Sequence, residues 1–292
     1  MTRLRGEACG KFILMGEHSV VHGGSAIGFP LRNKKLQVEI DPLIDGVFVN
    51  GEKQTHETRE HLFELVKILN IPFPRGYGLK VDSEIPIGGG LGSSAALCCA
   101  LLRATSELSG EDLAKQALMG EHYFHGKSSG VDPYTIALEC PMEFQSQEQA
   151  YTPLSLEKFQ SENLCIGLVD SGHRHITKDV VEAVSLCREN SASQFREIMA
   201  QLQSLETQAI VALEKSPEAL GPLMNQAQNL LEKLGVSDDG IQDRIKRASR
   251  LGAMGAKLTG AGRGGYVICL LEKTQQKSFL EEFSNNNPFI FE

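Results

Sequence analysis

Apolar and polar residues along this chain follow two rhythms, and the switches between them lay out its elements. FILM at 12–15 is an apolar run closed by Gly16, and a second run, SVV at 19–21, leads into the turn His22-Gly23-Gly24; the first run predicts a short strand. From Lys34 to Val49 the alternation in LQVEIDPLIDGVFV predicts hairpin strands turning at Asp45-Gly46. Residues 55–70 change to helical spacing, with Leu62, Leu65, Val66 and Leu69 on one face and His56 and His61 on a charged face with no chemical role. LKVDSEI predicts the strand that feeds a glycine-rich loop, the Ala/Leu/Cys run from Ser93 a buried helix, and Gly110 to Gly126 another helix, followed by the loop KSSGVDPYTI.

Polar residues in MEFQSQEQAYTP mark a connection, which divides the chain into domains at 1–155 and 156–292. Beyond it NLCIGLVD predicts a strand ending at Asp170, and amphipathic helices are expected near 177–189, 193–214, 216–234 and 239–254. In the second of these Phe195, Ile198, Leu202, Leu205, Ala209 and Leu213 recur at steps of three and four, which makes one apolar stripe. GAKLTGAGRGGYVICLLE reads as strand, loop and strand, before a short helix around 276–285 and a last strand, PFIFE.

The chain has 292 residues, 41% hydrophobic and 23% charged, enough for two domains or one large one in the ordinary globular range. A net charge of -8 leaves no basic footprint, so nucleic acid is excluded as a partner. Seven cysteines without C-x-x-C spacing, several inside apolar runs, point to reduced core thiols of a cytoplasmic protein. No apolar run is long enough to span a bilayer, and MTRLRGEACGKF lacks the apolar region of a signal peptide, so no membrane partner is expected.

Candidate chemistry centres on EIPIGGGLGSSAALCCALL at 84–102. An extended segment passes through Gly88, Gly89, Gly90 and Gly92 into a helix that begins near Ser93, which is the layout of an anion site. Ser93 and Ser94 fall at the cap or first turn, where a hydroxyl can cap the helix, touch a phosphate or ligate Mg²⁺. A glycine loop that merely caps a core helix is the bland alternative, and it stands on these residues alone. No G-x-x-x-x-G-K-[ST] occurs. Gly260, Gly262 and Gly265 spell G-x-G-x-x-G, but a strand follows where a dinucleotide fingerprint needs a helix. Lys11 before the first strand is either a solvated strand-end charge or a cation aimed at phosphate. Glu17-His18 reads first as a polar turn, and Asp132-Pro133 as turn chemistry. Glu121 and His125 have the spacing of a metal pair, but Mg²⁺ prefers oxygen and no third ligand is adjacent, so His122 and His125 are assigned to packing.

Taken together, GKFILMGEHSVVHG near the start, PIGGGLGSSAA in the middle, GEHYFHGKSSGVD and KLTGAGRGG near the end resemble the GHMP small-molecule kinases, in their expected order over nearly the whole chain. The Gly-Glu-His element followed by Val-Val-His-Gly resembles the branch that phosphorylates mevalonate. The resemblance implies an α+β two-domain fold, an N-terminal mixed α/β domain with the phosphate loop and a C-terminal ferredoxin-like domain. It implies ATP and Mg²⁺ as cofactors and mevalonate as the small-molecule partner. Asp132 would act on the substrate hydroxyl, with Lys11 stabilising developing negative charge. Glu121 and Ser94 would hold Mg²⁺, while Gly88, Gly89, Gly90, Leu91, Gly92, Ser93, Ser94 and Ala95 cradle the triphosphate. Glu17, His18 and Thr177 would meet mevalonate, and the loop Gly260 to Gly264 would buttress the nucleotide loop. The resemblance leaves open a homodimer, another acceptor of the same superfamily, such as phosphomevalonate, homoserine or a sugar, and a non-catalytic ligand-binding relative. Arg263 and Tyr266 depart from the family's third motif, at a common glycine and a small residue; the arginine could reach a phosphate or project to solvent.

Overall fold

Beginning at Leu4 the chain runs as strand β1 to Met15, and the eight residues from Ala8 onward are all buried. Continuous burial of that kind belongs to a strand covered on both faces. The computed structural model describes residues 3–74, 76–174 and 177–291, and for 177–179 and 181–183 the backbone alone. The chain folds as two compact units, the first from residues 1–11, 29–87 and 91–140, the second from 12–28, 88–90 and 141–292.

In the first unit, strand β2 (Ser25–Asp41, of which residues from Phe29 on belong here) buries Leu36, Val38 and Ile40 and exposes Gln37, the period of two expected of it. Strands β3 (Val47–Val49) and β4 (Glu52–Lys53) come next, then helix α1 (His56–Ile68), capped by Thr55 Oγ1 accepting from Thr58 N at 3.3 Å. Strand β5 (Gly78–Ser83), helix α2 (Ser93–Thr105), helix α3 (Gly110–His125) and helix α4 (Val131–Leu138) complete the unit. α1 buries Leu62, Leu65 and Val66, as its spacing predicts.

The hairpin expected at Asp45-Gly46 does not form. β5 lies between its two intended strands, antiparallel to Leu36–Asp41 and parallel to Val47–Val49. Gly78 permits the insertion, because a Cβ there would come within 2.2 Å of the Ile44 carbonyl oxygen. The hairpin instead joins β3 to β4 across Asn50-Gly51, both left-handed with φ of 49° and 82°, which is what a two-residue I′ turn requires. The segment around Asp132, expected as a loop, is the first turn of α4. Pro133 fits there because its missing N–H would have had no helical partner.

The second unit opens with strands β6 (Met142–Gln145) and β7 (Ala150–Pro153), an antiparallel hairpin where a connection was expected. Only Met142 and Phe144 are buried in this pair of strands, so the polar pattern is that of a sheet edge. β6 also pairs with Ser25–Gly28. Helix α5 (Glu157–Ser161), strand β8 (Leu164–Asp170) and helices α6 (Thr177–Asn190), α7 (Ala192–Lys215), α8 (Leu220–Lys233) and α9 (Asp239–Arg250) follow. Strand β9 (Gly255–Thr259), strand β10 (Tyr266–Glu272), helix α10 (Gln276–Glu282) and strand β11 (Phe289–Phe291) end the chain. All six residues of the predicted apolar stripe on α7 are buried.

These last strands form an antiparallel sheet in the order β11-β8-β10-β9. With helices after β8 and after β10 this is the β-α-β-β-α-β plan of a ferredoxin-like domain, as expected. The structure thus carries the α+β class inferred from the sequence. Cys9, Cys98, Cys99, Cys165 and Cys269 are buried, in line with core thiols. Among the described residues no helix is long and apolar enough to cross a membrane.

Candidate active site

Helix α2 starts at Gly92, whose φ of 78° makes it a left-handed N-cap with no side chain to cap with. A Cβ at Gly92 would sit 2.9 Å from Cγ of Lys11, so the glycine gives both the turn and the close approach of the lysine. No side-chain capping bond occupies this terminus, and Ala96 N is the first to bond within the helix, to Gly92 O at 2.9 Å. The preceding first-turn N–H groups therefore point out of the helix, as they do at anion sites. Ser93 and Ser94 are half-buried in that turn, while Leu91 and Ala95 are buried. Lys11 is fixed from its own backbone, where its N–H donates to Leu91 O at 3.0 Å.

Four elements of this unit deliver polar groups to the same place. Lys11 Nζ lies 2.9 Å from Asp132 Oδ2; the lysine is 2% exposed and the aspartate side chain 23%. Helix α3 brings Glu121, buried, and among the described residues its Oε1 has no hydrogen-bond partner. Burial pushes the Glu121 carboxyl up to about 7, and the nearby Asp132 charge adds to the rise while Ser94 and Lys11 oppose it. One turn later His125 places Nε2 3.1 Å from Ser94 Oγ and 3.8 Å from Glu121 Oε2. Burial also holds the His125 ring below its usual range. Lys11, Ser94, Glu121 and Asp132, all singled out in the sequence, are brought together here. His125, assigned to packing, joins them, whereas His122 serves the following loop by accepting from Ser128 N at 3.2 Å.

A buried carboxyl oxygen with no partner, beside a hydroxyl and a second carboxylate, is an unfavourable arrangement on its own. Oxygen donors of this kind suit Mg²⁺, which takes one or two protein ligands and keeps its other positions for phosphate and water. Glu121 and Ser94 therefore fit the metal. No cluster of three or more His, Cys, Asp or Glu is found among the described residues, so a purely protein-built cage is not what they form.

The second unit holds the other residues of interest. Glu17 is 2% exposed and bonded to Lys257, which is fully buried and also donates to Leu258 O at 2.7 Å. Burial lowers the pKa of Lys257, against the pull of Glu17 in the other direction. His18 has a positive φ of 64°, unusual for a side-chain-bearing residue, and its Nε2 lies 2.8 Å from Ala261 O. Burial depresses the His18 ring to about 4, so it is neutral near pH 7; Nε2 donates to the carbonyl and Nδ1 is left as an acceptor. Thr177 opens α6, and its side chain lies outside the described residues.

Gly88, Gly89 and Gly90 belong to this unit, and Gly89 and Gly90 touch the β9–β10 turn backbone to backbone. A Cβ on Gly90 would meet Thr259 O at 2.8 Å, one on Gly260 would meet Gly90 Cα at 2.9 Å, and one on Gly265 would meet Gly89 O at 2.8 Å. Tyr266 N closes the contact by donating to Gly89 O at 3.2 Å. Arg174, which the sequence did not single out, runs alongside Gly88, and its guanidinium forks onto Asp170 with bonds of 2.7 and 2.6 Å. Arg263 is half-buried with φ of 51° and donates from Nε to Gly235 O at 2.9 Å, tying the turn to the α8–α9 connection. Tyr266 is buried in the core.

A family model described as the GHMP kinases N terminal domain matches residues 57–139, and the GHMP kinases C terminal model matches residues 207–288. A mevalonate kinase of Aeropyrum pernix is 33% identical over 310 residues, covering 98% of this chain and 94% of the relative. That of Pyrococcus furiosus is 31% identical, covering 91% and 89%. Among solved structures, L. major mevalonate kinase in complex with R-mevalonate superposes with a TM-score of 0.78 at 25% identity, covering 100% of this chain and 94% of that one.

Proposed function

Because the chain belongs to the GHMP kinase family, with mevalonate kinases as its relatives and ATP as the phosphoryl donor the family implies, we propose that it transfers the γ-phosphoryl group of ATP to the primary hydroxyl of mevalonate, giving 5-phosphomevalonate. The observation that carries this reading is the 2.9 Å pair between buried Lys11 and part-exposed Asp132. Phosphoryl transfer needs little covalent help; alignment and charge at the transferring group supply most of the acceleration. A carboxylate is a far weaker base than an alkoxide, so Asp132 orients the hydroxyl and accepts its proton late. Lys11 fixes that carboxylate from one side and counters the negative charge that develops as the bond forms.

The glycine loop from Gly88 to Gly92 and the first turn of α2, with Ser93, Ser94 and Ala95, would receive the triphosphate. Glu121 and Ser94 would hold Mg²⁺, which when bound neutralises charge on the β- and γ-phosphates. Glu17, His18 and Thr177 are assigned to the mevalonate side. The His18 Nδ1 acceptor suits a hydroxyl, and Glu17 acts through the polar frame it makes with Lys257. The buried thiols and the small-molecule substrates support a cytoplasmic setting.

A coupled assay with ATP and a panel of acceptors tests the reading. Mevalonate should be turned over with a kcat/KM at least about tenfold above those for phosphomevalonate, homoserine and galactose, a gap of roughly 1.4 kcal/mol in transition-state binding. Preference for another member of the panel would move the assignment within the family, and no turnover of any would remove it.

A further inference from the structure

The first turn of α2 and the last turn of α3 meet at a point that the roles above leave unexplained. His125 Nε2 is 3.1 Å from Ser94 Oγ, and the histidine side chain is 37% exposed. A serine hydroxyl has one hydrogen and two lone pairs. To ligate a cation it must present a lone pair and direct its hydrogen elsewhere. That hydrogen has two acceptors within reach, the Glu121 carboxylate, which is stabilised by Ser94, and the His125 ring. With a divalent ion held by Ser94 Oγ and Glu121, that hydrogen could no longer face the carboxylate, and His125 would remain to accept it.

We infer that His125 is a positioning residue: its Nε2 accepts the Ser94 hydroxyl hydrogen and thereby turns the Ser94 lone pairs toward a divalent cation shared with Glu121. The inference rests on the phosphoryl-transfer reading of the same site. The arrangement is that of other metal centres, where a ligand is oriented by the hydrogen bond on its far side. Helical spacing supports it, since Glu121 and His125 are four residues apart and so lie on one face of α3, ligand and orienting group together.

Mn²⁺ bound with a non-hydrolysable ATP analogue, followed by its EPR signal, reads the effect without turnover. Compared with the unaltered protein, Ser94→Ala and His125→Ala should each weaken Mn²⁺ binding about tenfold or more, the scale found for outer-shell partners. The double variant should be no weaker than Ser94→Ala alone, because His125 acts only through that hydroxyl. His125→Gln, whose amide oxygen reaches to the place of Nε2, should recover most of the loss. Wild-type affinity in His125→Ala, with Ser94→Ala weakened, overturns the inference and leaves the kinase reading standing. Losses that multiply in the double variant, or a directly bonded ¹⁴N coupling to Mn²⁺, overturn it in favour of the ring as a ligand in its own right. Unchanged affinity in Ser94→Ala removes both the inference and the metal role of Ser94.

Discussion

Each unit of the molecule contains a buried lysine paired with a carboxylate, and these two pairs differ in how much water they meet. Lys11 is buried, yet its partner Asp132 keeps 23% of its side chain exposed. Lys257 and Glu17 are both sealed, at 0% and 2%. A fully buried pair offers nothing to a substrate, and its net worth to stability is small, since desolvating two charges costs about as much as their attraction returns. It does impose register, because neither charge tolerates being left alone. The half-open pair has the reverse character: the lysine is locked, and the carboxylate it holds can still meet a ligand. On the proposed function, burial separates a charge pair that would frame a site from one that would work in it.

The largest effect should come from breaking the sealed pair. Lys257→Met strands the Glu17 carboxylate and should cost about 3–5 kcal/mol of stability by thermal or denaturant unfolding. Adding Glu17→Gln should return much of that, and a double variant as unstable as the single would show that the pair does not behave as a unit. Next is the half-open pair. Lys11→Met should lower kcat about 100 to 1,000-fold, or roughly 3–4 kcal/mol, and Asp132→Asn at least comparably, with nucleotide affinity near that of the unaltered protein. Equal turnover in either variant would place the chemistry elsewhere.

A buried carboxyl served by a hydroxyl in place of a lysine sharpens the comparison. Glu206 on α7 is 2% exposed, and its oxygens lie 2.6 and 2.7 Å from Ser25 Oγ, which is also 3.1 Å from Glu143 Oε1. Burial raises the Glu206 carboxyl to about 7, with Glu143 adding to the rise and Ser25 opposing it. The folded protein therefore holds this proton more tightly than the unfolded chain. The resulting stability is complete below the unfolded value near 4.5 and is lost as pH rises through about 7, on the order of 3 kcal/mol. Glu206→Gln should flatten the fall in melting temperature between pH 5 and 8, and an unchanged slope would assign that fall to other groups. The smallest effect is expected for Arg263→Gly, which relieves a left-handed backbone but loses the bond to Gly235 O. These oppose each other, so stability should move by less than about 1 kcal/mol. A larger loss would make the side-chain bond the main anchor of its turn.

Much of this was readable from residue order. The helical stripes on α1 and α7 and the glycine loop before α2 are local patterns, and local patterns survive folding. Failures came where a partner distant in sequence decided the outcome. The Asp45-Gly46 hairpin gave way because Gly78 let a third strand enter, and the β6–β7 hairpin looked like a connection because an edge pair buries few residues. Lys11 and Asp132 are each ordinary in their own segments, and only the resemblance to a family joined them. The i,i+4 step from Glu121 to His125 was visible, but the hydroxyl that gives His125 a purpose stands 31 residues earlier. Lys257 carried no signal beyond a strand lysine, and nothing in a linear reading says that its ammonium is sealed against Glu17.

In the second unit, Gly89 and Gly90 of the loop and Gly260 and Gly265 of the β9–β10 turn lie against each other with main chain on both sides. A surface made of peptide alone cannot be redecorated, since the first added methyl would wedge it apart. On the proposed function, any divergence in what this enzyme accepts would therefore be written in side chains elsewhere, such as those around His18, and not in this peptide seam.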